Sequence, residues 1–332
     1  MKLSICIPTY NRARFLGDTL NAFLPLLDRD VQIVISDNAS TDGTAEIVDN
    51  FRRRFPQVTY HRWEQNMGAS RNYLKVVELA EGDYCWLFGS DDIPTPDSMA
   101  LVRESMASNC DIALFNWIWC DFQMKPFRKV RCLDQGIGPA TFHIGSAADL
   151  RSYLQRVQCV AGLFSYLSAI VFRRIRWDQS PYDDRFTGGA YSHSAKLLSI
   201  LREGADLRYD PRIVVNCRHG NDSFATEGMF KRVMIDLDGY GAIRDILFPG
   251  DPEVAKQINR ILRQDYPWWY LAKLKGGIGA EDFQIMLAAF RAIDYPAFPL
   301  RTAERLGEII PLWRLLLFLK IRVWIPLRRW FL

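Results

Sequence analysis

Apolar and polar positions along the first hundred residues alternate between two spacings. Leu3-Ser4-Ile5-Cys6-Ile7 is a short apolar run closed by Pro8, which predicts a buried strand whose pairing ends at the proline. From 12 to 27, Phe15, Leu16, Leu20, Phe23, Leu24 and Leu27 recur at helical spacing. Residues 31–36 read as a second strand, ended by the polar cluster 37–43, where Ser40 or Thr41 can cap a helix over 44–55. A third strand is expected over 58–62, a helix over 70–79 and a fourth strand over 84–88.

Strands alternating with helices in this way predict an α/β fold, a mainly parallel sheet with helices on both faces. Ligands of such sheets bind beyond the carboxyl ends of the strands. The polar clusters 9–12, 37–42, 66–72 and 90–92 each follow a strand end, so all four are expected on one rim. After about residue 109 the pattern changes. Residues 112–119, 169–172 and 213–215 read as strands, with a loop-rich stretch between the first two, and beyond 225 the chain reads as helical. The expected division is therefore a sheet domain over 1–222, with one ligand side in 1–100 and a second in 110–222, followed by a helical region over 223–332.

Composition narrows this picture in three ways. A hydrophobic fraction of 49% and a charged fraction of 24% over 332 residues supply an ordinary soluble core without metal or disulfide staples. The net charge of +4 is too small to argue for nucleic acid. Seven cysteines, scattered singly, read as reduced thiols in a cytoplasmic compartment, and no small-residue cleavage site follows the first strand, so no signal peptide is expected. No G-x-G-x-x-G follows that strand and no G-x-x-x-x-G-K-[ST] occurs, which argues against a nicotinamide dehydrogenase and a P-loop ATPase.

The rim carries the chemistry. Gly89-Ser90-Asp91-Asp92 sets two adjacent carboxylates in a small-residue turn, a donor set suited to Mg²⁺ or Mn²⁺; alone, it reads equally as a solvated turn. Asp37 is placed either to accept from a nucleobase N–H or to close an Asx-turn. Thr9, Tyr10 and Arg12 offer a hydroxyl, a stacking ring and a phosphate-directed guanidinium, although Arg12 also suits a helix surface. Asn66-Met67-Gly68 forms a small turn, and Arg71 follows at a helix start, where backbone N–H groups favour anions.

In combination, Ile7-Pro8-Thr9-Tyr10-Asn11-Arg12, Ser36-Asp37-Asn38-Ala39-Ser40-Thr41-Asp42-Gly43-Thr44, Asn66-Met67-Gly68 with Arg71-Asn72, and Gly89-Ser90-Asp91-Asp92 resemble the successive donor-site motifs of family 2 glycosyltransferases. The resemblance implies a GT-A fold and a nucleotide-diphosphate sugar as donor. It places Pro8, Thr9, Tyr10, Arg12, Asp37, Asn38, Asn66, Gly68, Arg71, Ser90 and Asp91 around that donor, with Asp37 on the base and Arg71 near the phosphates. It also implies a divalent metal (Mn²⁺ or Mg²⁺) at Asp91 and Asp92, with His219 closing on the diphosphate or its metal. Gly89 stands where the family has the first Asp of D-x-D, which removes a direct ligand. Stretches 84–92, 163–168, 190–193 and 220–224 further resemble an abequosyltransferase-like branch that acts in bacterial O-antigen assembly, which implies a saccharide acceptor on a lipid carrier.

Inverting members of the family place a catalytic Asp in a Glu-Asp pair after a glycine loop. Here Gly188-Gly189 is followed by Ala190-Tyr191, so the base is sought among neighbours: His193, an imidazole that titrates near pH 6.5, with Asp183 and Asp184 as rivals. Arg218, beside His219, also suits phosphate. A processive synthase would add membrane spans and a Gln-x-x-Arg-Trp motif, but Arg173-Arg174-Ile175-Arg176-Trp177 lacks the Gln. The altered Glu-Asp pair leaves a catalytically silent sugar-nucleotide-binding subunit as the other reading.

Residues 309–332 mix Trp, Leu and Phe with Arg and Lys and contain no acidic residue. Its longest uncharged runs, such as 315–319, are far short of the ~20 residues that span a bilayer. Such a segment suits a helix lying on the anionic cytoplasmic face of the inner membrane, or alternatively one docked on the core. On the membrane reading, the whole chain co-sediments with anionic vesicles at low salt, is released as salt rises, and loses the interaction when 309–332 is deleted. Co-sedimentation without any such dependence would remove this reading.

Overall fold

The computed structural model describes residues 1–221, 224 and 228–306. In chain order its elements are β1 (Leu3–Thr9), α1 (Ala13–Phe23), β2 (Val31–Asp37), α2 (Thr44–Arg52), β3 (Val58–Arg62), α3 (Ala69–Glu78), β4 (Tyr84–Leu87), β5 (Ile93–Pro94), α4 (Ser98–Ala107), β6 (Ile112–Cys120), β7 (Pro126–Val130), β8 (Ala140–Ile144), α5 (Ala147–Arg156), β9 (Ile170–Arg173), α6 (Arg174–Gln179), α7 (Ser192–Glu203), β10 (Ala205–Arg218), α8 (Met229–Leu247), α9 (Pro252–Asp265), α10 (Trp268–Lys275), α11 (Ala280–Ala292) and α12 (Ala297–Leu306). The strands lie in the order β3-β2-β1-β4-β9-β6-β10-β5, with β7 on β6 and β8 on β10. Pairings β3-β2, β2-β1, β1-β4 and β6-β10 are parallel, whereas β9 runs antiparallel between β4 and β6. β1 and β4 are buried along their whole lengths and β2 at every position but Gln32, which is why their sequences are nearly continuous apolar runs.

Three local expectations change. β1 does not stop at Pro8: Pro8 pairs with Ser36 and Thr9 with Asp37 in parallel register. The Cys6 carbonyl faces β4, where it accepts from Phe88 N–H at 2.9 Å, and by alternation Pro8 faces that side too, while Thr9 bonds towards β2. Pairing with β4 ends at Cys6, so the proline removes no ladder bond. At the start of α2, Asp42 rather than Ser40 or Thr41 accepts from Thr44 N–H, at 3.3 Å, because the Ser40 hydroxyl is used by Asn11 N–H at 2.8 Å. The stretch read as loop between β6 and β9 contains β7 and β8, and β10 is far longer than the three residues foreseen. Pro211 lies in β10 where its register with β6 shifts, which disguises one long strand as two short pieces.

The chain forms two compact units. Residues 1–221 and Gly239–Ile261 make up the first, and 228–238 with 262–306 the second. A single cut near 222 therefore misplaces Gly239–Ile261, whose contacts lie with the sheet unit: Arg260 donates to the carbonyls of Leu154 at 2.8 Å and Val157 at 2.9 Å, and Arg202 to that of Leu247 at 2.8 Å. The second unit is helical and packs Phe283, Met286, Leu287 and Phe290 of α11 into its own core. Inside it, Tyr266 donates to Asp236 at 2.5 Å and Tyr295 to the Tyr266 carbonyl at 2.9 Å. Among the described residues no helix is long and apolar enough to cross a membrane. The tail 309–332 lies outside the described residues.

One side chain positions the rim. Asn72 on α3 is buried, and its amide donates to the carbonyls of Ser36 at 2.9 Å and Thr9 at 3.3 Å. Its oxygen accepts from the Ser36 hydroxyl at 2.7 Å and the Trp63 indole N–H at 3.2 Å. The ends of β1 and β2 are thereby held to one helix. Replacing Asn72 with Ala leaves these groups without partners at about 1–3 kcal/mol each, not additively, so urea unfolding is expected to show a loss of ~2–5 kcal/mol.

Candidate active site

The four polar clusters do meet on the rim, and most of their side chains are engaged with one another. Asp37 is fully buried: Oδ1 accepts from Ser40 N–H at 2.9 Å, and Oδ2 from the Tyr60 hydroxyl at 2.8 Å with Arg62 Nε 3.7 Å away. The carboxylate is thus committed to the loop that follows β2, and burial together with the Asp37 charge pushes the Tyr60 pKa up, so Tyr60 stays a donor. Asn38 joins two loops by donating to Asn66 Oδ1 at 2.7 Å and accepting from Met67 N–H at 2.8 Å, while Asn66 Oδ1 also takes Gly68 N–H at 2.9 Å. Gly68 has φ +83°, a left-handed conformation that favours glycine, and it delivers the chain into the first turn of α3, where Arg71 is exposed.

At the end of β1, Pro8 and Thr9 are buried, and the Thr9 hydroxyl has no partner. Tyr10 presents its ring to solvent, and Arg12 donates to the Asn221 carbonyl at 3.0 Å. Asn221 in turn donates to Asp91 Oδ2 at 2.5 Å, so β1, β4 and the end of β10 converge on one carboxylate. Burial pushes the Asp91 pKa up, against the charge of Arg12. Ser90 is buried, and its carbonyl accepts from the Thr19 hydroxyl of α1 at 3.2 Å.

Asp92 has a different role from the one foreseen. It is buried, Oδ2 accepts from the hydroxyls of Ser168 at 2.5 Å and Tyr166 at 2.7 Å, and Oδ1 accepts from Arg218 N–H at 3.2 Å. Burial and then the charge of Asp91 push its pKa well above the ordinary carboxylate range. Three of its lone pairs are thereby engaged by the fold. The exposed His219 ring lies 4.7 Å from that of Trp119 and 5.6 Å from that of Phe127. Among the described residues no three His, Cys, Asp or Glu side chains form a metal-holding group. The donor set fits a divalent cation in the form that takes one or two protein ligands, Asp91 first, and completes its shell with substrate phosphates and water.

Gly89 explains the lost D-x-D. A Cβ there would lie 2.7 Å from Asp92 Oδ2, and the Gly89 N–H donates to the Ser168 hydroxyl at 2.8 Å. The buried carboxylate occupies the space a larger residue would need. Arg218, weighed as a phosphate ligand, is likewise committed to the fold, donating to the carbonyls of Phe122 at 2.6 Å and Asp91 at 3.2 Å. Tyr166, Ser168 and Asn221 escaped the sequence reading because each acts through a partner tens of residues away.

On the second side of the rim, His193 is buried at the start of α7 between the rings of Tyr73, 5.1 Å away, and Tyr191, 6.3 Å away, with Nδ1 unpartnered. Its enclosure removes it from the role of base towards an incoming hydroxyl. Tyr191 stacks on Tyr240 at 4.6 Å, and a Cβ on Gly239 would meet the Tyr191 ring at 2.7 Å, so aromatic packing against α8 occupies the place of the Glu-Asp pair. Asp183 is held by Arg185, Oδ2 accepting from its guanidinium at 2.6 Å, whereas Asp184 is exposed. The same loop reaches α3, where Ser70 donates to the Gly189 carbonyl.

The order of these motifs, the mixed sheet and the shared rim define a nucleotide-sugar-type transferase fold. Residues 4–174 match the profile described as Glycosyl transferase family 2, and the chain belongs to that family: it is a glycosyltransferase. It is 34% identical over 301 residues to "Abequosyltransferase RfbV" of Salmonella typhimurium, covering 88% of this chain and 89% of the relative. The fold is shared with TarS 1–349 of S. aureus in complex with UDP-GlcNAc, at TM-score 0.59 and 13% identity over 92% of this chain and 91% of that one. It is also shared with the mannosyltransferase PcManGT of Pyrobaculum calidifontis in complex with GDP-Man and Mn²⁺, at TM-score 0.56 and 14% identity over 94% and 87%. These solved structures bear out the GT-A fold.

The enclosed imidazole has a measurable consequence. Burial pushes the His193 pKa down from 6.5 to about 4. The unfolded chain then binds the extra proton between those values, so stability is complete above pH 6.5 and falls as the pH drops towards 4. The span corresponds to at most about 3 kcal/mol. Urea unfolding followed across this range is expected to show that slope in the native protein and a flatter one in His193→Gln; equal slopes would contradict it.

Proposed function

We propose that this glycosyltransferase takes a sugar of the deoxyhexose class from a nucleotide-diphosphate sugar and attaches it, with inversion, to a hydroxyl of a polyprenyl-linked saccharide. The setting is O-antigen or related surface polysaccharide assembly, with the protein peripheral on the cytoplasmic face of the inner membrane. Similarity to an abequosyltransferase over most of both chains supports the class of sugar and the setting. The observation that carries the chemistry is the convergence of Asp91, Arg12 and Asn221 at the rim.

The first-turn N–H groups of α3 with Arg71 and Arg12 receive the diphosphate. Tyr10, Tyr60 and Arg62 border the nucleoside, on a turn that Asp37 and Asn38 hold in shape. Asp91 would hold a divalent cation, whose chemistry when bound is to offset the charge of the departing diphosphate. The acceptor hydroxyl attacks C1 and forms the new C1–O bond as the bond to the diphosphate oxygen breaks. Its proton goes to Asp184, the exposed carboxylate of the loop ahead of α7, and the nucleoside diphosphate leaves. Preorganised positive groups at the leaving oxygen commonly supply the largest share of such catalysis.

Asp184→Asn is expected to lower transfer by ~10²–10⁴-fold with nucleoside-diphosphate binding retained, while Asp183→Asn stays near the native rate because Arg185 already neutralises that carboxylate. In Asp91→Asn the thermal shift produced by a nucleoside diphosphate with Mn²⁺ is expected to fall to that seen without metal. Equal rates for both loop variants would remove Asp184 as base. Nucleotide binding by the native protein without any turnover across a donor panel would favour the silent subunit.

A further inference from the structure

We propose that the ridge shared by α10 and α12 in the helical unit is a membrane-docking surface that seats on anionic lipid headgroups, an assignment that rests on the peripheral-membrane reading above. Register builds the ridge. Tyr295, just ahead of α12, donates to the carbonyl of Tyr266, just ahead of α10, at 2.9 Å. Lys275 at the end of α10 donates to the carbonyl of Glu304, near the end of α12, at 2.7 Å. Both bonds join residues 29 apart, so the two helices lie side by side and run in the same direction. The same offset puts Trp269 and Phe298 at one level, on helix axes about 8–10 Å apart.

Each helix buries one face and turns the other to water. α10 buries Leu271, Ala272 and Leu274 and exposes Trp269 and Lys273, one turn apart. α12 buries Leu300 and Ala303 and exposes Phe298, Arg301 and Arg305 along one stripe. At 81%, Phe298 is the most exposed large apolar side chain among the described residues, and Trp269 stands at 42%. No acidic residue lies on α10, and the one on α12, Glu304, accepts from Gln284 of α11 at 3.1 Å. The ridge therefore presents two large rings with three cations.

Charge selects the occupant. A second copy docked through this ridge would set Lys273, Arg301 and Arg305 against their own counterparts, and like charges repel. The segment 309–332 of the same chain is also basic, with Arg314, Lys320, Arg322, Arg328 and Arg329 and no acidic residue, so it is a poor cover for the ridge. An anionic bilayer satisfies both halves at once. Trp and Phe settle at the boundary between headgroups and acyl chains, while Lys and Arg extend along their apolar stems to the phosphates. Continuity points the same way: α12 ends at Leu306, and the residue types of the ridge recur in the sequence from 309 onwards.

Co-sedimentation of the whole protein with vesicles of equal parts phosphatidylglycerol and phosphatidylcholine, against phosphatidylcholine alone, tests this. The native protein is expected to bind the anionic vesicles. Trp269→Glu with Phe298→Glu, and separately Lys273→Glu with Arg301→Glu and Arg305→Glu, are each expected to weaken that binding by about tenfold or more. Added salt shrinks the deficit of the charge variant and leaves that of the aromatic variant. Both variants should melt cooperatively; if the aromatic pair does not, Phe298→Glu alone, at the more exposed site, is read in its place. Native-level binding by both variants overturns the ridge and leaves the membrane reading to the tail. No binding by the native protein removes the ridge and the membrane reading together. Unchanged vesicle binding with loss of a self-association seen by light scattering would overturn the lipid assignment in favour of a second copy.

Discussion

A carboxylate taken out of water costs several kcal/mol unless donors replace the solvent, and Asp92 is such a group. It finds the hydroxyls of Tyr166 and Ser168 and the N–H of Arg218, which come from the approach to β9 and from the end of β10. Two distant pieces of chain are thus fastened to the turn that follows β4. With the turn fixed, its neighbour Asp91 faces Asn221, and the last residues of β10 arrive where Arg12 can reach them. Gly89 belongs to the same constraint, since any Cβ there would enter the space of the buried carboxylate.

The opposite half of the rim is held by neutral amides. Asn72 takes up the carbonyls left by β1 and β2, and Asn38 with Asn66 shapes the loop that enters α3. Amides suit this work because each offers donors and acceptors together and none carries a charge that must be compensated on burial. The result is a scaffold of buried polar groups with Tyr10 and Arg71 exposed at its surface.

The acceptor side follows a different logic, in which aromatic packing replaces charge. Tyr191 and Tyr240 pack together where the family resemblance implies an acidic pair, and Gly239 gives α8 the room to approach. His193 is drawn into that packing and kept neutral. The reactive carboxylate is consequently sought in the loop before α7.

By itself the sequence determined the strand–helix alternation, the continuous apolar strands and the gathering of four polar clusters on one rim, because each of these follows from local periodicity and the direction of parallel strands. The motifs also carried the family, since their residue types and spacing are local properties. What only the tertiary structure decided is which polar residues are free. Asp91 and Asp92 are adjacent and chemically identical, yet one faces the rim and the other is consumed by Tyr166, Ser168 and Arg218, partners 74 to 126 residues away. Likewise His193 and His219 read alike as candidates, and one proved to be enclosed and the other stacked in the open. β7, the bulge at Phe127 and the length of β10 were hidden for the same reason: their pairing partners are distant in the chain, and an exposed edge strand carries little apolar pattern to announce it.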